Sequence, residues 1–86
     1  MFEEEVILQN ETGLHARPAS LLVKEASKFK SDIKIIVKEK EYNAKSIMGL
    51  LSMGAAKNEK LVIKAEGEDE ELAIRKLVAL LNNLRE

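Results

Sequence analysis

The sequence predicts a small two-layer α+β fold, in which an antiparallel sheet carries helices on one face. Short segments rich in β-branched residues alternate with segments whose apolar residues recur at helical spacing, in the order βαββαβα. The chain has 86 residues, enough for a single domain over 1–86 with a modest core. It contains no cysteine, so we expect neither disulfides nor a thiolate metal site.

The N-terminal part of the chain is expected to form one strand and one helix. The strand lies at Glu5–Gln9, a β-rich run that leads into a polar turn at Asn10–Thr12. The helix covers Ala16–Phe29, where apolar residues recur on one face before the sequence becomes polar. Ser27 and Ser31 are predicted to be surface residues.

The middle of the chain predicts a hairpin followed by a short helix. Asp32–Lys38 is rich in β-branched residues, and the polar run Lys40–Asn43 suits an edge strand that returns from a tight turn. Ser46–Met53 is predicted to be helical, with Ser46 as its N-cap and Gly54 as its stop. A helix this short cannot bury all five of its large apolar residues, so some are expected to face solvent or a partner.

The C-terminal part is expected to add a strand and the last helix. The strand Lys60–Glu66 follows Asn58, a residue that tolerates a left-handed turn, and Gly67 breaks it. The helix begins near Asp69, a good N-cap, with two glutamates in its first turn and Arg85 near its end. Its apolar stripe comprises Ala73, Ile74, Leu77, Leu80, Leu81 and Leu84.

His15 is the leading candidate for chemistry, because it is the only histidine in the chain. A histidine side chain has an unperturbed pKa of about 6.5, so near pH 7 it is available as a nitrogen nucleophile. It stands at the predicted helix start, where Pro18 is tolerated and where unpaired amides suit a phosphate. Arg17 adds a planar cation that binds two phosphoryl oxygens at once.

A lone histidine is more often structural than catalytic, and the motif around this one changes that balance. The run Thr12-Gly13-Leu14-His15-Ala16-Arg17-Pro18-Ala19 resembles the active-site signature of the HPr family, the histidine-containing phosphocarriers of the bacterial sugar phosphotransferase system. The run Lys45-Ser46-Ile47-Met48-Gly49, Gly54, Gly67 and the closing helix also stand where that family has them, so the resemblance covers essentially the whole chain.

The resemblance implies an HPr-like open-faced sandwich with the sheet order 1-4-2-3. One residue departs from the family pattern: Glu39 occupies the hairpin turn, where the family often carries glycine. A residue other than glycine is strained at positive φ, so this turn is expected to take another geometry or length.

The resemblance also implies a phosphoryl carrier without a cofactor, rather than an enzyme that turns over a small substrate. His15 is expected to accept a phosphoryl group on Nδ1 from phosphorylated enzyme I, itself charged by phosphoenolpyruvate. It is then expected to pass the group to the soluble sugar-specific enzyme IIA components. Ala16 and Arg17 are the expected phosphate-binding residues, through a first-turn amide and the guanidinium.

Ser46 is, by itself, a plain helix cap. Its surroundings nevertheless resemble the regulatory site of HPr proteins from low-GC Gram-positive bacteria, where an ATP-dependent HPr kinase/phosphorylase modifies this serine. The resemblance also implies that the serine-phosphorylated form acts as a corepressor with the catabolite control protein. A phosphoserine adds about −1.5 to −2 charges, so we expect docking to suffer while folding survives.

The apolar residues of the short helix either complete the core or form a docking patch. The core interpretation covers Ile47, Met48, Leu51 and Met53, and methionine commonly fills irregular gaps in cores. The resemblance to HPr favours partner contact. It implies a docking surface on the first two helices, made of Ser20, Leu21, Lys24, Ile47, Met48 and Leu51.

The charge balance argues against general attraction to nucleic acid, since 14 Lys and Arg stand against 15 Asp and Glu. The N-terminus lacks the pattern of a signal peptide, and no run approaches the roughly 20 apolar residues that span a bilayer. A cytoplasmic protein without membrane insertion is expected. The basic residues near the two motifs form either a solvated mixed surface or a rim that steers an acidic partner, and they are Arg17, Lys24, Lys28 and Lys45.

Three other classes compete with the phosphocarrier. A purely regulatory binding module, like the HPr paralogue Crh, resembles the region around Ser46 but lacks the active-site histidine, so His15 argues against it. Acyl carriers are equally small, but they are all-helical and acidic with an Asp-Ser-Leu motif. Nucleic-acid binding comes last, because the chain has three aromatic residues and no basic strand studded with them.

Overall fold

A computed structural model describes residues 1–11 and 13–84 of the chain. The predictions made for Thr12 and Arg85 therefore lie outside the described residues. Within them the elements are, in chain order, β1 Phe2–Ile7, α1 Ala16–Ala26, β2 Asp32–Val37, β3 Lys40–Asn43, α2 Ile47–Met53, β4 Lys60–Glu66 and α3 Glu70–Asn82.

The strands form one antiparallel sheet in the order β1-β4-β2-β3, which confirms the predicted α+β fold and the order implied by the resemblance. Successive side chains of a strand point to opposite faces, so alternate residues of β2 and β4 are buried together on one face. These residues are Ile33, Ile35, Val37, Leu61, Ile63 and Ala65. The helices pack over that face and complete the core, chiefly with Leu22, Leu50, Ile74 and Leu77.

Element ends differ from the sequence predictions where backbone pairing outweighs local propensity. β1 starts at Phe2 rather than Glu5, because the backbone of its three glutamates pairs with β4 although glutamate is a poor strand former. α1 ends at Ala26 rather than Phe29. Its last turn tightens, since the amide of Lys28 donates to the Glu25 carbonyl at 3.1 Å and that of Phe29 to the Ala26 carbonyl at 3.2 Å.

The hairpin between β2 and β3 keeps a two-residue turn without glycine. Val37 pairs with Lys40, so the turn consists of Lys38 and Glu39. Both adopt positive φ, 51° and 70°, as a type I′ turn requires. The expectation that this turn takes another geometry or length was therefore wrong, because the right-handed twist of the paired strands favours the primed turn over the local preference of its residues. Asn58 is left-handed as predicted, with φ of 72°.

Asp69 stands at the N-cap position of α3, as predicted, but its side chain makes no capping bond. The carboxylate instead accepts hydrogen bonds from the Lys30 amide at 2.9 Å, the Ser31 amide at 3.0 Å and the Ser31 hydroxyl at 2.5 Å. The prediction that Ser31 is a surface residue was wrong, since it is 1% exposed. Asp69 therefore joins the start of α3 to the segment between α1 and β2.

The acid stability of the protein is expected to depend on Asp69. The Ser31 hydroxyl, followed by the Lys30 amide, holds the pKa of Asp69 below its ordinary value. A carboxyl with a lowered folded pKa stabilises the fold fully above the unfolded value of about 4, and that contribution is lost as the pH falls through the folded pKa. Asp69→Asn should therefore show a shallower loss of unfolding free energy in acid, measured by urea titration at a series of pH values. If the unfolding free energy of Asp69→Asn fell in acid as steeply as that of the wild type, this role would be contradicted.

No helix in the described part of the chain is long and apolar enough to cross a membrane.

Candidate functional site

His15 lies at the junction between an irregular loop and α1, with its side chain exposed. It is the N-cap residue of α1, in an extended conformation, and its side chain makes no capping hydrogen bond. The bonds of the helix begin where the Ala19 amide donates to the His15 carbonyl at 2.8 Å. The imidazole is therefore open to solvent at the amide end of a helix, where a partial positive charge favours anions.

The first turn of α1 carries the other residues expected to hold phosphate. Ala16 and Arg17 are the first two helical residues, and both are exposed. The amide of Ala16 has no acceptor within the helix, because it precedes the first helical hydrogen bond. Pro18 is the third helical residue, a position whose amide would also lack a helical acceptor, so its missing N–H costs nothing. The predicted helix start is confirmed.

The loop before His15 is seated on the segment that follows α2. The Leu14 amide donates to the Ala55 carbonyl at 2.9 Å, and Leu14 itself is buried. Gly13 adopts φ of 66° and packs so closely on this segment that an added Cβ would lie 2.6 Å from the Ala56 Cα and closer still to the Ala55 carbonyl oxygen. The place of His15 is therefore set by a non-local backbone contact that sequence reasoning missed; the glycine within the motif was its one local signal.

A shallow groove of about 360 Å³ runs beside the imidazole. Its walls come from the start of α1 and from the end of α2, and they comprise Leu14, His15, Ala16, Leu51, Gly54, Ala55 and Ala56. The C-terminal half of α2 is thus brought next to His15, although the two lie far apart in sequence. Among the described residues, no group of three or more His, Cys, Asp or Glu side chains is placed to hold a metal ion.

The six residues predicted to contact partners are all exposed, and they lie on α1 and α2, which pack against each other. Ser20, Leu21 and Lys24 are exposed on consecutive turns of α1. On α2, Ile47, Met48 and Leu51 are exposed while Leu50 is fully buried. The core interpretation therefore fits Met53, which packs partly buried against the core, and does not fit Met48, which is 74% exposed.

Ser46 caps the opposite end of α2. Its hydroxyl oxygen accepts a hydrogen bond from the Gly49 amide at 3.1 Å, and Gly54 ends the helix with φ of 64°. Both boundary predictions for α2 are confirmed. A helix of seven residues spans about 10 Å, so Ser46 is separated from the His15 groove by one short helix. It lies directly beside the exposed Ile47 and Met48.

The basic residues near the two motifs differ in what they contact. Lys28 pairs with Glu25 at 3.1 Å on the same helix. Lys45 is half-buried, and its Nζ donates to the Phe29 carbonyl at 2.7 Å. Lys45 therefore connects the end of α1 to the start of α2 rather than pointing into solvent, which weakens the idea of a four-residue basic rim. Lys24 is exposed on α1.

The chain matches known proteins over nearly its whole length. Residues 2–83 match the family model described as the PTS HPr component phosphorylation site. The phosphocarrier protein HPr of Buchnera aphidicola is 44% identical over 85 residues, which are 99% of this chain and 100% of that protein.

Two solved structures show the same fold. A crystal structure of HPr from Thermoanaerobacter tengcongensis is 49% identical, covers 95% of this chain and 92% of its own, and superimposes with a TM-score of 0.93. Crh, a catabolite repression protein of Bacillus subtilis, is 43% identical, with a TM-score of 0.77 over 95% of this chain and 94% of its own. The fold, the motif around His15 and these matches agree, and the chain belongs to the HPr family of phosphocarriers of the phosphotransferase system.

Proposed function

We propose that the protein carries a phosphoryl group on His15, accepting it from phosphorylated enzyme I and passing it to enzyme IIA components in the cytoplasm. The observation that carries the proposal is the exposed imidazole at the amide end of α1, free of any capping bond. Membership of the HPr family supports the role of carrier. Neither nucleic acid nor a membrane is expected as a direct partner.

The geometry suits a transient rather than a permanent phosphoryl group. A neutral Nδ1 attacks the phosphorus as the bond to the donor breaks, and the reverse step delivers the group to the next acceptor. The first-turn amide of Ala16 and the guanidinium of Arg17 stabilise the negative charge in between. A helix-dipole contact of this kind contributes about 0.3–1 kcal/mol, enough to orient a phosphate without trapping it.

Incubation with phosphoenolpyruvate and enzyme I, followed by mapping of the modified residue, tests the proposal. Acid-labile phosphate on the peptide that contains His15 is the expected result. Phosphate on any other residue, or none, would contradict the carrier role for this histidine.

We also propose that phosphodonor and acceptor proteins dock on the surface formed by Ser20, Leu21, Lys24, Ile47, Met48 and Leu51. Leu51 supports this proposal, because it is exposed with the other patch residues and also lines the groove beside His15. A partner that covers the patch therefore reaches the imidazole. Large exposed apolar side chains of this kind on neighbouring helices mark protein interaction sites.

Met48→Asp is expected to raise the KM for transfer from enzyme I by roughly tenfold or more, because a charge enters the apolar contact, while the melting temperature changes little. Leu72→Asp is the matched control, since Leu72 is 50% exposed on α3, outside the patch. Equal effects of the two substitutions on KM, or a collapse of the melting temperature for Met48→Asp alone, would contradict the docking role.

Phosphorylation of Ser46, by a kinase of the HPr kinase/phosphorylase type, is proposed to regulate docking. The serine caps α2, where a phosphate at the helix start is tolerated. The same phosphate lies next to Ile47 and Met48, within about one Debye length of a partner on the patch. The catabolite control protein is the corresponding proposed partner of the phosphorylated form.

Ser46→Asp is expected to slow transfer to His15 from enzyme I by roughly threefold to tenfold while the fold is retained. Ser46→Asn is the matched control, because asparagine has the shape of aspartate and also caps helices but carries no charge. Slow transfer in both variants would implicate the lost hydroxyl rather than charge. Rates like the wild type in both would contradict the regulatory role.

A purely regulatory module is the second candidate, favoured by the similarity to Crh and by the capping position of Ser46. It predicts binding of the serine-phosphorylated protein to the catabolite control protein with no phosphate on His15. The mapping experiment separates it from the carrier.

A further inference from the structure

We propose that Asn10 is a positioning residue for phosphoryl transfer, which holds the loop before His15 in its productive place. The inference rests on the proposed phosphocarrier function. Asn10 lies outside the docking patch and outside the groove beside the imidazole. Its effect therefore has to pass through the loop that it shares with Gly13.

Two hydrogen bonds close this loop on itself. The Nδ2 of Asn10 donates to the Gly13 carbonyl at 2.6 Å, and the Gly13 amide donates to the Asn10 carbonyl at 3.2 Å. Asn10 is 5% exposed, so water does not compete strongly for the first of them. The side chain thus fixes the carbonyl of Gly13, and with it the peptide group that leads into Leu14.

The orientation of the carboxamide follows from its neighbour. Its nitrogen must face the Gly13 carbonyl, because the flipped amide would bring two carbonyl oxygens to 2.6 Å from each other. That orientation leaves Oδ1 buried with no hydrogen-bond partner among the described residues. The side chain of Asn10 therefore acts on the loop through its donated bond to Gly13.

The loop that Asn10 holds leads directly into His15. Gly13 abuts Ala55 and Ala56, and the Leu14 amide donates to the Ala55 carbonyl. The segment after α2 therefore holds one side of the loop, and Asn10 holds the other. His15 is the next residue and begins α1. Without the Asn10 bond, the peptide group between Gly13 and Leu14 is held only through the Leu14 amide, so it can tilt. The tilt displaces the imidazole relative to the first-turn amides while the docking helices stay in place.

Kinetics of transfer from enzyme I test the proposal on the intact protein. Asn10→Ala removes the donor, and Asn10→Asp keeps the shape but replaces the donor by an oxygen that faces the Gly13 carbonyl. Displacement of a reacting group by about 1 Å lowers rates by up to about 100-fold, so we expect kcat to fall by roughly 10- to 100-fold with KM within about twofold of the wild type. Amide resonances of Gly13 to Ala16 should shift, whereas those of β2 and β3 should not.

A stability control separates positioning from general weakening. Ile33→Val truncates a buried side chain on β2 and lowers stability by about 0.5–1.5 kcal/mol at a distance from the loop. A fall in kcat shared by Ile33→Val, a change confined to KM, or a wild-type kcat in both Asn10 variants would overturn the proposal. If the wild type itself acquires no phosphate on His15, the carrier function fails. In that case, unshifted amide resonances of Gly13 to Ala16 in the Asn10 variants would also overturn the positioning role of Asn10.

Discussion

His15→Ala is expected to abolish phosphorylation by enzyme I and phosphoenolpyruvate, the largest functional effect of any single substitution. The chain has one histidine, so no second imidazole is present to replace it. The fold should be unaffected, because the side chain is exposed and makes no capping bond, and exposed substitutions usually change stability by less than about 0.5 kcal/mol. Acid-labile phosphate, measured by mass shift before and after mild acid, is the readout.

The unfolding curve of His15→Ala serves as the control, and it should overlay that of the wild type. If His15→Ala showed no melting transition, its loss of phosphorylation would be due to unfolding. Acid-labile phosphate that persists on a well-folded His15→Ala protein would refute the assignment of the acceptor.

Gly13→Ala is expected to have the largest effect on stability, roughly 2–5 kcal/mol, through two additive causes. The left-handed backbone at φ of 66° costs a residue with a Cβ about 1–2 kcal/mol. The Cβ also meets backbone atoms of Ala55 and Ala56, which cannot rotate away as a side chain would, and overpacking of this kind costs about 1–3 kcal/mol. Thermal unfolding should report a drop in Tm of at least about 8 °C.

Gly54→Ala is the matched control for this prediction. Gly54 has nearly the same φ, 64°, but no atom lies within 4 Å of an added Cβ. It should therefore lose only the conformational part, about 1–2 kcal/mol. Equal losses for the two variants would show that the loop before His15 is not pressed against the segment after α2.

Local sequence patterns predicted the elements that depend on local physics. The β-branched run of β2 and the alternating run of β4 were predicted to within one residue of their observed ends. The caps of α2 were confirmed for the same reason, since a serine hydroxyl and a glycine act on neighbouring backbone. Phe2–Glu4 of β1 was missed because its strand bonds are made by β4, whatever the side chains prefer.

The polar side chains show where local rules stop. Asp69 has the residue type and position of a helix cap, yet its carboxylate binds Lys30 and Ser31, which lie nearly 40 residues earlier in the chain. A carboxylate accepts hydrogen bonds from whichever donors lie close to it in the folded chain. Sequence spacing does not show donors that only folding brings near. The same folding buried Ser31.

The fold class and the candidate acceptor were predictable from local patterns, because hydrophobic periodicity is local and because the chain offers one imidazole beside one first-turn arginine. The contacts that hold this imidazole in place, by contrast, are long-range and became visible in the folded chain. Gly13 and Leu14 rest on Ala55 and Ala56, and Leu51 joins the groove to the exposed face of α2. These contacts link residues about 40 positions apart, and they form only when helix packing on the sheet brings both segments together.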